Sequence, residues 1–278
     1  MRNLAHLPQP PFPYFTAIVA AKQNPRRQRL QAIAPNIQQS YIGYANNLQN
    51  LEQLEQMEME DQLKKDLEHC YTSATAPLTL LKNAISDHHR ATSPAIAALC
   101  QYCGLNHDAC EFDHYLPKET FAEYSTLSLN LVPSCGRCNL LKGTEWLDAN
   151  GTRMIVSFYH DTVPDSQFLF AEIEMGAVPL ARFRLSNDPA DYGGLEQIIR
   201  NHFGQLELLD RFSKAAPAFY SEVMGDISPL VQLGDVNGAA NILHKKAEDI
   251  AERYSPNYWK VALLQAMAEN QDFLAVCI

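Results

Sequence analysis

Two Cys-x-x-Cys pairs, Cys100-Gln-Tyr-Cys103 and Cys135-Gly-Arg-Cys138, constrain this chain more than any other feature, because they fix where it must fold back on itself. Each pair makes a tight turn that points two thiolates at one ion, and two such turns complete a tetrahedral four-sulfur site suited to zinc. With seven cysteines among 278 residues, about 0.2 such pairs arise by chance, so two of them are a signal. Four sulfurs fill the coordination sphere, which makes the expected zinc structural and leaves no open position for water. A thioredoxin-like redox use of one pair is the competing account, and it leaves the second pair unexplained. The cysteine count is odd, with Cys70, Cys110 and Cys277 completing it, and nothing marks secretion, so no disulfide framework is expected. Thirty-one residues separate the pairs, more than a zinc ribbon uses, so something is inserted between them.

The insert reads Glu111-Phe-Asp113-His114-Tyr-Leu-Pro117-Lys118, then Asn130-Leu-Val-Pro133-Ser-Cys135, and the last cysteine opens Cys138-Asn139-Leu-Leu-Lys142-Gly143. Histidine takes a proton near neutral pH, and Asp113 and Asn139 offer hard oxygens suited to Mg²⁺ or Mn²⁺. Adjacent residues on a strand point to opposite faces, so Asp113 and His114 must sit at a strand end or bend if both serve one site. Singly, each residue has an ordinary account: an Asp113–His114 ion pair, a turn at Asn130, a helix cap at Asn139. In this order and inside a four-cysteine frame, they resemble the HNH, or ββα-metal, nucleases in the variant pinned by a four-cysteine zinc. The last histidine of the family name is here Asn139, a substitution the family also contains, for example in the HNH domain of RNA-guided DNA nucleases. The resemblance covers about 45 residues. A fainter likeness, Asn257-Tyr-Trp259-Lys260, is to the C-terminal end of a bacterial HNH group with helical extensions.

The resemblance implies a metal-dependent endonuclease that hydrolyses DNA phosphodiester bonds. It makes His114 the general base, Asp113 and Asn139 the ligands of a catalytic Mg²⁺ or Mn²⁺, and Asn130 the residue that braces the loop carrying the histidine. Lys118 and Arg137 become phosphate contacts. Lys142 reads either as a third such contact or as a solvated last-turn lysine. His88-His89, His107 and His202 read as surface or packing residues, and His160-Asp161 as a lesser candidate for the rim of the cleft. The alternative is a zinc-stabilised adaptor binding nucleic acid or protein through an inactive HNH module. The intact Asp113, His114, Asn130 and Asn139 set favours the nuclease.

Charge qualifies that reading. The chain carries a net charge of −10, the wrong sign for capturing nucleic acid by bulk attraction. Residues 96–150 hold three basic side chains against seven acidic ones. The one dense basic cluster, Arg26-Arg27-Gln28-Arg29, reads as a solvated face or as a phosphate site. Weak DNA binding by the chain alone is therefore expected, with targeting supplied by homo-oligomerisation or a partner. HNH proteins of this general shape resemble effectors found beside ATPases in bacterial anti-phage systems, which implies a defence nuclease held quiet until recruited.

The text around the insert predicts a mainly helical α+β protein in three stretches: a helical region over 1–93, the HNH module over 94–147, and a β-hairpin with a helical region over 148–278. Proline-rich sequence opens the chain as an extended arm. Tyr41, Tyr44, Leu48 and Leu51 fall at helical steps, Asp61 is placed to cap a helix through Leu63, Leu67 and Cys70, and another helix runs from Pro77 towards Asp87. Phe168–Glu174 and Val178–Leu185 read as a hairpin. Leu195, Ile198, Ile199, Phe203, Leu206 and Leu209 mark one helix, Ala239 to Ala251 a second capped by Asp235 or Asn237 and ended by Pro256, and Trp259 to Met267 a last one. No apolar run nears the roughly 18 residues a spanning helix needs. The apolar stretch Tyr14–Ala21 lacks a basic lead, so a signal peptide is not expected and a cytoplasmic location is.

Overall fold

Proline decides where the first helix begins. Pro8 to Pro11 keep the backbone out of a helix, whereas Pro13 falls in the first turn, where a missing N–H costs nothing. Helix α1 (Phe12–Ala20) follows and buries Phe15, Ile18 and Val19. The computed structural model describes residues 2–105, 111–176 and 178–276; Cys110, Cys277 and His107 lie outside the described residues. The chain is a mainly helical α+β protein that divides into two compact units. One comprises Asn3–Tyr102 with Asn106–Asp161, the other Met1–Arg2, Cys103–Leu105 and Thr162–Ile278.

In the first unit, α1 is followed by α2 (Arg26–Ala32) and α3 (Ala34–Asn46), which buries Ile37, Tyr41 and Tyr44 on one face. The tyrosine–leucine pattern outruns the helix. Asn47 Nδ2 donates to the Gly43 carbonyl at 2.8 Å and closes the last turn, and Leu51 is buried from a separate short 3₁₀ turn. In α4 (Asp61–Thr72), Asp61 lies in the first turn beside the positive end of the helix instead of at the cap, which is Glu60. The next helix, α5 (Ala76–Thr92), runs past Asp87, and Thr75 caps it by accepting the Leu78 N–H at 3.4 Å. After the single turn α6 (Pro94–Ala97), strands β1 (Glu111–His114) and β2 (Leu131–Ser134) pair antiparallel, Glu111 opposite Ser134 and His114 opposite Leu131. Helix α7 (Gly136–Lys142) starts directly after Cys135, which completes a ββα unit.

Two arginines of the basic cluster on α2 are tied into the fold, although about a third of each side chain stays exposed. Arg26 Nε and Arg29 Nε lie 2.9 and 2.6 Å from the two carboxylate oxygens of Asp66, a fully buried residue on α4.

The second unit opens with β3 (Leu169–Glu174) and β4 (Leu180–Leu185), paired antiparallel from Leu169 opposite Leu185 to Glu174 opposite Leu180. Leu169, Ile173, Ala181 and Phe183 are buried, while Arg184 pairs with Glu172 on the exposed face. The single helix expected from Leu195 to Leu209 is two, α8 (Glu196–Gln205) and α9 (Leu208–Gln232), separated at Glu207, whose φ of 53° no helix accommodates. Helix α10 (Val236–Arg253) is capped as expected by Asp235, which accepts the Gly238 N–H at 2.8 Å. It ends at Arg253, ahead of Pro256. Helix α11 (Trp259–Glu269) is buried on nearly all sides, against α10 and β3, and α12 (Gln271–Val276) follows it. Asn257 accepts the Phe168 and Leu169 N–H groups at 2.7 and 3.1 Å, so the Asn257-Tyr-Trp259 text pins the start of the hairpin. Among the described residues no helix is long and apolar enough to cross a membrane.

Candidate active site

The four knuckle cysteines converge. Cys100, Cys103, Cys135 and Cys138 are buried, none is in a disulfide, and their sulfurs all lie within 4.8 Å of one another. A tetrahedral zinc with bonds of about 2.3 Å puts its sulfurs about 3.8 Å apart, so the cluster fits a structural zinc. Cys135 is also the residue from which α7 starts, so the same turn that offers a thiolate launches the helix carrying Asn139.

Because β1 ends at His114, Asp113 and His114 both reach one cleft of about 210 Å³, which Tyr71, Lys118, Glu119 and Asn139 also line. The strand-end position is what frees two neighbours from pointing to opposite faces. The His114 Nε2–H donates to the Ser125 carbonyl at 2.9 Å. A carbonyl only accepts, so Nε2 holds the proton of the neutral ring and Nδ1 holds the lone pair. Burial pushes the His114 pKa down to about 3, the nearby Lys118 and Lys142 charges adding to the effect and the Ser125 bond opposing it. At neutral pH the ring is therefore a free base. The Tyr71 ring stands nearly perpendicular to it with centroids 4.2 Å apart, its hydroxyl donating to the Phe112 carbonyl at 2.7 Å and the Lys82 ammonium lying over the tyrosine ring.

Asp113, 4% exposed, accepts on Oδ2 from the Tyr102 hydroxyl at 2.7 Å and lies 3.0 Å from the Lys142 ammonium. Burial raises its pKa, against the pull of Lys142 and Tyr102. Lys142 also donates to the His114 carbonyl at 2.7 Å, tying α7 to the end of β1. It is not the solvated last-turn lysine, being 1% exposed, and its ammonium is engaged by Asp113 and the backbone. Asn130, fully buried, accepts the Leu116 N–H at 2.7 Å and donates to the Leu116 and Tyr124 carbonyls at 3.0 and 3.3 Å, so it braces the loop beyond His114. Asn139 donates from Nδ2 to Glu111 Oε2 at 2.8 Å.

Of the basic candidates, Lys118 lines the cleft, paired with Glu119, while Arg137 is exposed on the first turn of α7, outside the cleft lining. His160 and Asp161 do not form its rim. Asp161 is buried in a two-point pair with Arg153, at 2.7 and 3.1 Å, and receives the Ser157 N–H, while burial holds His160 down to about 4. His89 and His202 are buried packing residues. Sequence reading missed Tyr71, Tyr102, the Ser125 carbonyl and Glu111. For Glu111 a signal existed, since it lies two residues from Asp113 and so shares its face of β1.

Asp113 and Asn139, two hard-oxygen donors in one polar cleft with room for water and phosphate, fit a small divalent cation such as Mg²⁺ or Mn²⁺. Residues 100–145 match the family described as HNH endonuclease, so the chain carries an HNH module. Over 186 residues, 63% of this chain, it is 25% identical to Protein ea31 of Escherichia phage lambda. The match spans 62% of that relative's length, less than two thirds. No solved structure matches the chain.

Proposed function

We propose that the module is a catalytically competent endonuclease that hydrolyses DNA phosphodiester bonds with a divalent cation. The observation that carries this reading is the commitment of His114 Nε2 to the Ser125 carbonyl, which leaves an unprotonated Nδ1 in the cleft that also holds Asp113 and Asn139. His114 Nδ1 takes the proton of the attacking water. The Ser125 carbonyl keeps the ring oriented and stabilises the imidazolium that results. Asn130 holds the loop from which that carbonyl is presented, and Lys118 contacts phosphate. A Mg²⁺ or Mn²⁺ on Asp113 and Asn139 would polarise the phosphate and stabilise the departing 3′ oxygen. The −10 net charge favours recruitment by a partner over capture of DNA by the chain alone. An ATPase of an anti-phage system is the partner class the HNH resemblance suggests.

The test is cleavage of supercoiled plasmid by zinc-loaded protein, otherwise stripped of metal and re-supplied with Mg²⁺ or Mn²⁺. His114→Ala is expected to slow cleavage by about 10²–10⁴-fold. Equal cleavage by both proteins would remove His114 as the base. Silence from both, persisting when the partner is co-expressed, would leave the inactive adaptor.

A further inference from the structure

We infer that Glu111 is a positioning residue: it dictates which end of the Asn139 amide faces the cleft, and so sets the affinity of the site for a divalent cation. The inference rests on the proposed role of Asn139 as a cation ligand. An amide is nearly symmetric in shape but not in chemistry, since its oxygen binds a cation and its NH₂ repels one. Without a partner, Asn139 would present either end. Glu111 removes the choice. Its carboxylate only accepts hydrogen bonds, and it stands 2.8 Å from the Asn139 side chain, so the NH₂ must turn to it and Oδ1 must turn away.

The backbone is arranged to permit this. Glu111 lies two residues before Asp113 on β1 and so projects to the same side of the strand. Its carboxylate packs against the first turn of α7 at Gly136, where an added Cβ would come within 3.2 Å of Glu111 Oε1. Asn139 lines the cleft and Glu111 does not, which places Glu111 behind the ligand instead of beside the cation. Its negative charge on the amide nitrogen also makes Oδ1 a stronger donor.

The test measures Mn²⁺ binding directly, by the electron paramagnetic resonance signal of free Mn²⁺, on the zinc-loaded full chain. Glu111→Ala is expected to weaken binding about tenfold. Glu111→Gln keeps the packed side chain but can either accept from the Asn139 NH₂ or donate to its Oδ1, so it no longer dictates the amide and should also weaken binding, separating positioning from loss of a packed side chain. In an Asn139→Asp background either carboxylate oxygen can serve, so orientation no longer matters. There Glu111→Ala should weaken Mn²⁺ binding much less, because only the longer-range pull of the carboxylate on the cation is lost. Unchanged affinity in Glu111→Ala, or equal weakening in both backgrounds, overturns the inference. Asn139→Ala keeps the two readings apart: if it abolishes binding while Glu111→Ala is silent, only the positioning role fails. If it has no effect, Asn139 is not a ligand and both fail.

Discussion

Lys142 is only 1% exposed, and an ammonium is buried that deeply only where it is matched. Its partner is Asp113, at 3.0 Å, so one cation stands beside the carboxylate that the proposed function assigns to another. Lys142→Met keeps the stem and removes the charge, leaving Asp113 with the Tyr102 hydroxyl. Breaking a buried pair from one side costs about 3–5 kcal/mol, to be read from the urea midpoint of the zinc-loaded chain. Mn²⁺ should then raise the melting temperature of Lys142→Met more than that of wild type, because a divalent cation supplies the missing charge. Equal shifts would mean that the lysine and the cation do not share Asp113. At this scale the sequence was legible where chemistry is written in order: Asp113, His114, Asn130 and Asn139 lie within 27 positions and in a fixed frame of cysteines. It was not legible where a contact joins distant text. Tyr71 belongs to α4, and nothing near it announces a ring against His114. Tyr102 sits inside a knuckle, where it reads as a spacer, although its hydroxyl holds Asp113.

Between elements, the joint of α2 to α4 is electrostatic. Asp66 is fully buried and joined to Arg26, Arg29 and Gln62, with carboxylate contacts of 2.9, 2.6 and 3.1 Å. Burial alone would raise its pKa; the hydrogen bonds from Arg29, Arg26 and Gln62 outweigh that and lower it. A carboxyl whose folded pKa is depressed contributes stability that is fully present above its unfolded value, about 3.9, and is lost as pH falls through the folded value. Asp66→Asn should therefore destabilise the chain by about 1.5–3 kcal/mol, with a gap to wild type that holds steady from neutral pH down to about 5 and closes below about 4. Urea unfolding of both proteins across that range checks it, and a gap that widens on acidification would contradict the pairing. Helix periods alone could not show this joint, because an arginine-rich turn reads as solvated unless its acid is known. Helix α9 was unread for a related reason. Pro217 and Pro229 interrupt its text, yet Phe212, Ala216, Phe219, Tyr220, Val223, Ile227 and Val231 form one buried stripe across both. Burial of such a stripe outweighs an interior proline, at about 3 kcal/mol each.

For the whole molecule, the balance of charge sets how DNA can be held. A protein that neutralises Z phosphates loses affinity with salt along a slope of about −0.9Z. Arg26 and Arg29 hold Asp66, and of the three basic side chains in residues 96–150 Lys142 is buried against Asp113, while Lys118 and Arg137 reach solvent. The slope for the isolated chain should then be about −2 to −3, measured by fluorescence anisotropy with the His114→Ala protein between about 50 and 200 mM KCl so that no substrate is consumed. A slope that shallow would mean that added salt weakens the complex only slightly and, on the proposed function, that a recruiting partner brings the remaining phosphate contacts with it. Adding such a partner should steepen the slope as well as raise the affinity. A slope of about −6 or steeper from the chain alone would require six or more cations along one DNA path, and the acidic surface would then no longer be a reason to invoke recruitment.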